Sequence, residues 1–104
     1  MNSDLKARFD REIQSHPVVI YMKGNAMFPR CGFSAAAVQT LQPYGDVFAV
    51  DVLAEPELRD AIKEYSSWPT IPQVFIHGQF VGGSDIVREL SERGELEKLI
   101  KGEA

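Results

Sequence analysis

Residues 18–41 read VVIYMKGNAMFPRCGFSAAAVQTL, and the succession of textures in this stretch decides the fold. Val18, Val19, Ile20, Tyr21 and Met22 make a β-rich apolar run without alternation, the pattern of a strand covered on both faces. Gly24 opens a turn-rich loop that passes through Pro29 to Cys31. From 33 to 41 the residues favour helix, with Ala35, Ala36, Ala37, Val38 and Leu41 apolar, and Pro43 is expected to close it.

The flanking segments extend the same alternation. Upstream, Leu5, Phe9 and Ile13 recur every four residues among charged neighbours, giving an amphipathic helix that His16-Pro17 ends. Downstream, residues 47–52 read as a second strand, and Pro56 suits the first turn of a helix whose buried face is Leu58, Ile62 and Tyr65. Trp68-Pro69-Thr70-Ile71-Pro72 fits neither a helix interior nor a central strand, so it reads as a structured bend into the strand 73–76. His77-Gly78 marks a hairpin to Gln79-Phe80-Val81, after which Gly82-Gly83-Ser84 leads into a helix carrying Ile86, Val87 and Leu90. Gly94 separates a last helix with Leu96, Leu99 and Ile100. Early strand-helix-strand units and a late hairpin predict an α/β fold with a four-stranded mixed sheet flanked by helices on both faces.

At 104 residues and 44% hydrophobic, the chain is expected to be one domain, 1–104, with its own core. Eleven basic against 15 acidic residues give a net charge of −4, which argues against a nucleic-acid surface. No apolar run approaches membrane-spanning length, so no membrane partner is expected. The N-terminal residues lack the apolar core of a secretory signal, and the single cysteine permits no internal disulfide. Both point to a reducing cytoplasm, with an organelle matrix reached by a cleaved leader as the alternative.

Cys31 is placed by this reading at a helix N-terminus, where unpaired backbone N–H groups favour a thiolate, and Lys23 and Arg30 add positive charge nearby. A lone cysteine is more often a small buried hydrophobe. Pro29, Arg30, Gly32 and Ser34 make a poor core segment, which favours the reactive reading.

Cys31-Gly32-Phe33-Ser34, Lys23-Gly24 eight residues upstream, Trp68-Pro69-Thr70-Ile71-Pro72-Gln73, and Gly82-Gly83-Ser84-Asp85 stand in register over nearly the whole chain. In this the sequence resembles the monothiol glutaredoxins, which implies a thioredoxin-like fold and glutathione bound beside Cys31 as the catalytic thiol. By that resemblance Lys23 and Arg59 face the glycyl carboxylate. Ile71, before a cis Pro72, pairs its backbone with the cysteinyl part. Gly83, Ser84 and Asp85 form a helix N-terminus that takes the other carboxylate and the amine. The plainer alternatives are a solvated Lys23, an Arg59 paired with acidic neighbours on its helix, and Ser84 and Asp85 as simple helix caps. Trp68 reads as packing, and His16 and His77 are assigned no chemistry.

Serine at 34 leaves no resolving thiol, and Ser84 closes a second route to an internal disulfide seen in some family members. A 2Fe-2S cluster needs four thiolates where one chain offers one. The resemblance implies a homodimer bridging the cluster through Cys31 and glutathione of each subunit, passing it to iron-sulfur acceptor proteins, with a BolA-like protein as recurrent partner. A glutathione-dependent oxidoreductase reducing protein-glutathione mixed disulfides is the alternative, and a glutathionylated redox-sensing module is a third. The chain departs from many relatives in having Ala26 where a proline is common, which should loosen the loop. Apolar Met27 and Phe28 beside it suit either a cluster shield or a partner surface.

Overall fold

The run Val18–Met22, β1, is buried at every position, as its unbroken apolar texture requires. In the computed structural model, which describes residues 1–102, it is an inner strand of a four-stranded sheet ordered β2-β1-β3-β4. The parallel neighbour is β2 (Phe48–Asp51), with Tyr21 opposite Val50, and the antiparallel one is β3 (Gln73–Ile76), with Tyr21 opposite Gln73. β4 (Gln79–Gly82) completes the sheet by pairing antiparallel to β3. Glu103 and Ala104, the end of the expected domain, lie outside the described residues.

Because side chains alternate across a strand, β1 feeds two cores. Val19 and Tyr21 pack with Phe9 and Ile13 of α1 (Ser3–Ser15) and with Leu58 and Ile62 of α3 (Pro56–Ser66). Val18, Ile20 and Met22 point the other way, onto Val38 and Leu41 of α2 (Gly32–Leu41), Val87 of α4 (Ser84–Glu92) and Leu96 of α5 (Glu95–Lys101). The expected mixed sheet with helices on both faces is therefore the architecture observed. The radius of gyration is 12.7 Å, close to the value for a compact chain of this length.

Local chemistry explains the boundaries. Asn2, not a residue inside the helix, caps α1: its Oδ1 accepts from the Asp4 N–H at 2.7 Å. α2 ends at Leu41, as expected, with Pro43 two residues on. Pro43 sits at the start of a 3₁₀ turn, Gln42–Tyr44, where its missing N–H is not needed, and the chain reverses at Gly45, φ 136°. His77 and Gly78 both take positive φ, 48° and 81°, as a two-residue hairpin turn demands. The His77 ring also contacts the Ile100 carbonyl at 2.7 Å, a structural tether for α5.

Candidate functional site

The site is assembled where three chain turns meet at one end of the sheet. The first is the loop between β1 and α2. Gly24 adopts φ 84°, and a Cβ there would stand 2.5 Å from the Phe28 carbonyl oxygen, so the turn requires glycine. Its N–H donates to Asp51 Oδ1 at 3.0 Å, tying the loop to the end of β2. Arg30 N–H donates to the Lys23 carbonyl at 2.9 Å, which brings the two ends of the loop together. Between them Asn25 Oδ1 accepts from the N–H groups of Met27 at 3.0 Å and Phe28 at 2.8 Å. The absent proline at 26 is thus accompanied by an asparagine brace, a contribution that the sequence reading did not single out.

Cys31 is the residue preceding α2, in extended conformation, and is half-buried. Its side chain makes no cap hydrogen bond of ordinary geometry. Even so, the backbone N–H of Ser34 holds its pKa below the usual thiol range; the Phe33 N–H, the Lys23 ammonium and the Ser34 hydroxyl act in the same direction, and partial burial opposes them. Ser34 is fully buried and also braces the backbone, its Oγ accepting from the Lys23 N–H at 3.1 Å. Where a resolving cysteine would stand, this side chain fastens β1's exit to α2.

The second turn is the bend 68–72. Its Ile71–Pro72 peptide is cis, as the resemblance implied. Ile71 makes no backbone hydrogen bond among the described residues, leaving its N–H and C=O available. Gln73 anchors the bend from below, donating through Nε2 to the carbonyls of Trp68 at 3.0 Å and Thr70 at 3.1 Å. Trp68 packs on Phe80, ring centroids 5.4 Å apart, and its buried Nε1 has no hydrogen-bond partner.

The third turn is the entry to α4. The cap residue is Gly83, without a side-chain cap bond, so neither Ser84 nor Asp85 caps the helix as the plainer reading supposed. The first-turn N–H groups therefore face outward at the positive end of the helix. A Cβ on Gly83 would lie 3.3 Å from the Pro72 carbonyl oxygen, so glycine lets this turn close on the bend. Asp85 is exposed and contacts Arg88 at only 3.5 Å.

Between these turns runs a groove of about 420 Å³ whose walls include Lys23, Arg59, Ile71, Pro72, Gly83, Ser84 and Asp85. Cys31 opens on an adjoining hollow of about 390 Å³ that shares Phe33, Ser84 and Asp85 with the groove. Lys23, Cys31, Arg59, Ile71, Pro72, Gly83, Ser84 and Asp85 thus each line one or both of these adjoining hollows, whereas Arg30, Met27 and Phe28 line neither. Lys63, one helical turn beyond Arg59, and Thr70 also line the groove; neither was singled out, although the four-residue spacing places Lys63 on the Arg59 face. Lys23, Arg59 and Lys63 have no ion-pair partner among the described residues, so Arg59 is not absorbed by acidic neighbours. Three free cations facing one groove suit a small anionic ligand despite the acidic whole. Among the described residues no group of three or more His, Cys, Asp or Glu is placed to hold a metal ion, and Cys31 is the sequence's one thiol.

A thioredoxin-like sheet with one activated cysteine at a helix start, beside a cis-proline and a cationic groove, defines a protein built around a single reactive thiol. The glutaredoxin family model matches residues 18–81. An uncharacterised ycf64-like monothiol glutaredoxin of Synechocystis sp. is 50% identical over 97% of this chain and 95% of its own. Glutaredoxin 4 of Escherichia coli K12 is 48% identical over 90% and 83% respectively. The solution structure of reduced poplar apo GrxS14 superposes with a TM-score of 0.84 at 44% identity, covering 94% of this chain and 91% of that one. The chain belongs to the glutaredoxin family, in its monothiol branch. No helix among the described residues is long and apolar enough to cross a membrane.

Proposed function

We propose that this monothiol glutaredoxin binds glutathione in the groove and, as a dimer, carries a bridging 2Fe-2S cluster to acceptor proteins, in the cytoplasm or an organelle matrix. The observation that carries the reading is a single thiolate-favoured Cys31 opening beside a groove with three unpaired cations. Glutathione fits this groove chemically. Lys23 and Arg59, with Lys63, supply charge for the glycyl carboxylate; the outward N–H groups of α4 at Gly83 and Ser84 suit the second carboxylate, and Asp85 suits the amine. Ile71 offers its free N–H and C=O to the cysteinyl peptide, and Pro72 holds that segment against the groove.

The donor set then sets the stoichiometry. Serine stands at 34, buried and already hydrogen-bonded, and the sequence holds one cysteine, so the chain offers no second thiolate beside Cys31. Two chains supply two thiolates, and the two glutathiones they hold supply the remaining pair that a four-thiolate cluster needs. Ligands that are half borrowed and exchangeable suit a cargo rather than a resident group, and a BolA-like protein is the expected alternative occupant of one subunit's place.

The depressed Cys31 pKa also supports a second reading, a glutathione-dependent oxidoreductase. The Cys31 thiolate attacks the glutathionyl sulfur of a mixed disulfide; the new S–S bond forms as the client thiolate leaves and takes a proton. A second glutathione thiolate then attacks the same glutathionyl sulfur, releasing Cys31 as thiolate and glutathione disulfide as product. Anaerobic reconstitution with iron, sulfide and glutathione separates the readings. Visible absorption and dimerisation in wild type, absent in Cys31→Ser, are expected. Equal behaviour of the two proteins contradicts the carrier, and rapid turnover of a glutathione mixed disulfide by cluster-free protein favours the oxidoreductase.

A further inference from the structure

Gln73 is a polar side chain in an apolar core. It is fully buried at the start of β3, whose other residues, Val74, Phe75 and Ile76, are buried and apolar. By alternation it shares a sheet face with Phe75, the face that packs Tyr21, Ile62 and Ile71 together. Its amide is also left half-satisfied. Nε2 donates to the bend, to the Trp68 carbonyl at 3.0 Å and the Thr70 carbonyl at 3.1 Å, while the buried Oε1 has no partner among the described residues. An apolar side chain of the same length would leave no such orphan acceptor. A local rule broken beside a candidate site marks a residue kept for the groups it holds in place.

These two bonds decide what the bend presents on its other side. In a trans peptide the C=O and N–H of one plane point in opposite directions, and the Thr70–Ile71 peptide is trans. Because the Thr70 carbonyl is turned down onto Gln73, the N–H of the same plane, which belongs to Ile71, is turned away from it. Thr70 and Ile71 both line the groove, and this N–H has no partner among the described residues. No other hydrogen bond among them holds the Thr70 carbonyl, so without the Gln73 donors the plane is free to rotate. We propose that Gln73 is a positioning residue that aims the Ile71 N–H at the cysteinyl carbonyl of bound glutathione, an inference that rests on the glutathione reading above. Gln73 lies beneath the bend, touches no ligand atom and acts through the backbone alone. The Trp68 bond is a second anchor that stops the bend from pivoting about the first. The consequence reaches the chemistry. The cysteinyl carbonyl carbon is bonded to the Cα whose side chain carries the sulfur, so orienting it turns that sulfur toward the adjoining hollow where Cys31 opens.

The test is Gln73→Met, which keeps the length of the side chain and loses its donors. Glutathione, measured by calorimetry, should bind about tenfold more weakly. The salt dependence of binding should keep its wild-type slope, because Lys23, Arg59 and Lys63 are untouched. Amide exchange followed by NMR separates aiming from a general loosening. In wild type, saturating glutathione should slow exchange of the Ile71 N–H at least about tenfold. In Gln73→Met at saturation that protection should be absent, while protection of the Ser84 N–H on binding and of β1 in the free protein stays as in wild type. Wild-type affinity with a protected Ile71 N–H in the variant overturns the proposal. So does joint loss of Ile71 and Ser84 protection, which would make Gln73 a structural residue only. Should Gln73→Met fail to fold, wild type alone decides: the Gln73 side-chain amide protons should exchange slowly with or without glutathione, and the Ile71 N–H only with it. An Ile71 N–H that stays unprotected while glutathione binds overturns the aim. A wild-type protein that binds no glutathione contradicts instead the reading on which the proposal rests.

Discussion

Cys31 is governed by backbone more than by side-chain charge. The leading influence on its pKa is the Ser34 N–H, a consequence of standing at the start of α2, and Lys23 contributes less. The rate of alkylation by iodoacetamide should therefore rise with a midpoint below that of a free cysteine thiol. Lys23→Ala and Ser34→Ala should each move it upward only slightly, because the N–H groups remain. A large upward move in Lys23→Ala would show that charge dominates instead. The same shift links to stability with a definite sign. The folded state favours the thiolate, so the contribution is present at pH above the unfolded thiol's value and disappears as pH falls through the folded one. Its position beside a helix start was legible in the sequence, because a loop opened by Gly24 and carrying Pro29 ran directly into an alanine-rich helix. The bracing role of Ser34 was not, since a hydroxyl accepting from a backbone N–H eleven residues away depends on the packing of two elements.

At the scale of elements, the site depends on the loop 23–31 and on one face of α3. Gly24→Ala places a Cβ against backbone at positive φ and should cost about 2 kcal/mol or more, read as a lowered urea midpoint. Asn25→Ala removes two side-chain hydrogen bonds from an exposed turn and should cost only about 1 kcal/mol. On α3, Arg59→Ala and Lys63→Ala should each weaken glutathione about tenfold, and the loss should shrink as salt screens the groove. Unchanged binding in both variants would remove the anion-site assignment. Strands and helices were legible wherever burial imposes a pattern: β1 by its unbroken apolar run, the bend by two prolines that exclude regular structure. The 3₁₀ extension of α2 was not, since Pro43 is equally compatible with a helix end and with the first turn of a new one. Lys63 was overlooked although the helical period puts it beside Arg59, and the buried, unpartnered Trp68 Nε1 depends on tertiary fit that no local pattern encodes.

For the whole molecule, the two cores built on opposite faces of β1 hold three distant turns at one end of the sheet, and the site exists only because all three arrive there. A rigid scaffold with functional loops at one end leaves the chemistry to be completed from outside. One sulfur per chain makes the assembly, rather than the monomer, the functional unit of the proposed carrier. Native mass spectrometry of anaerobically reconstituted protein tests this most directly. The expected species holds two chains, two glutathiones and one 2Fe-2S cluster, reverts to monomer on removal of glutathione and is absent from Cys31→Ser. A cluster carried by a single chain, or a loaded dimer without glutathione, would contradict the carrier.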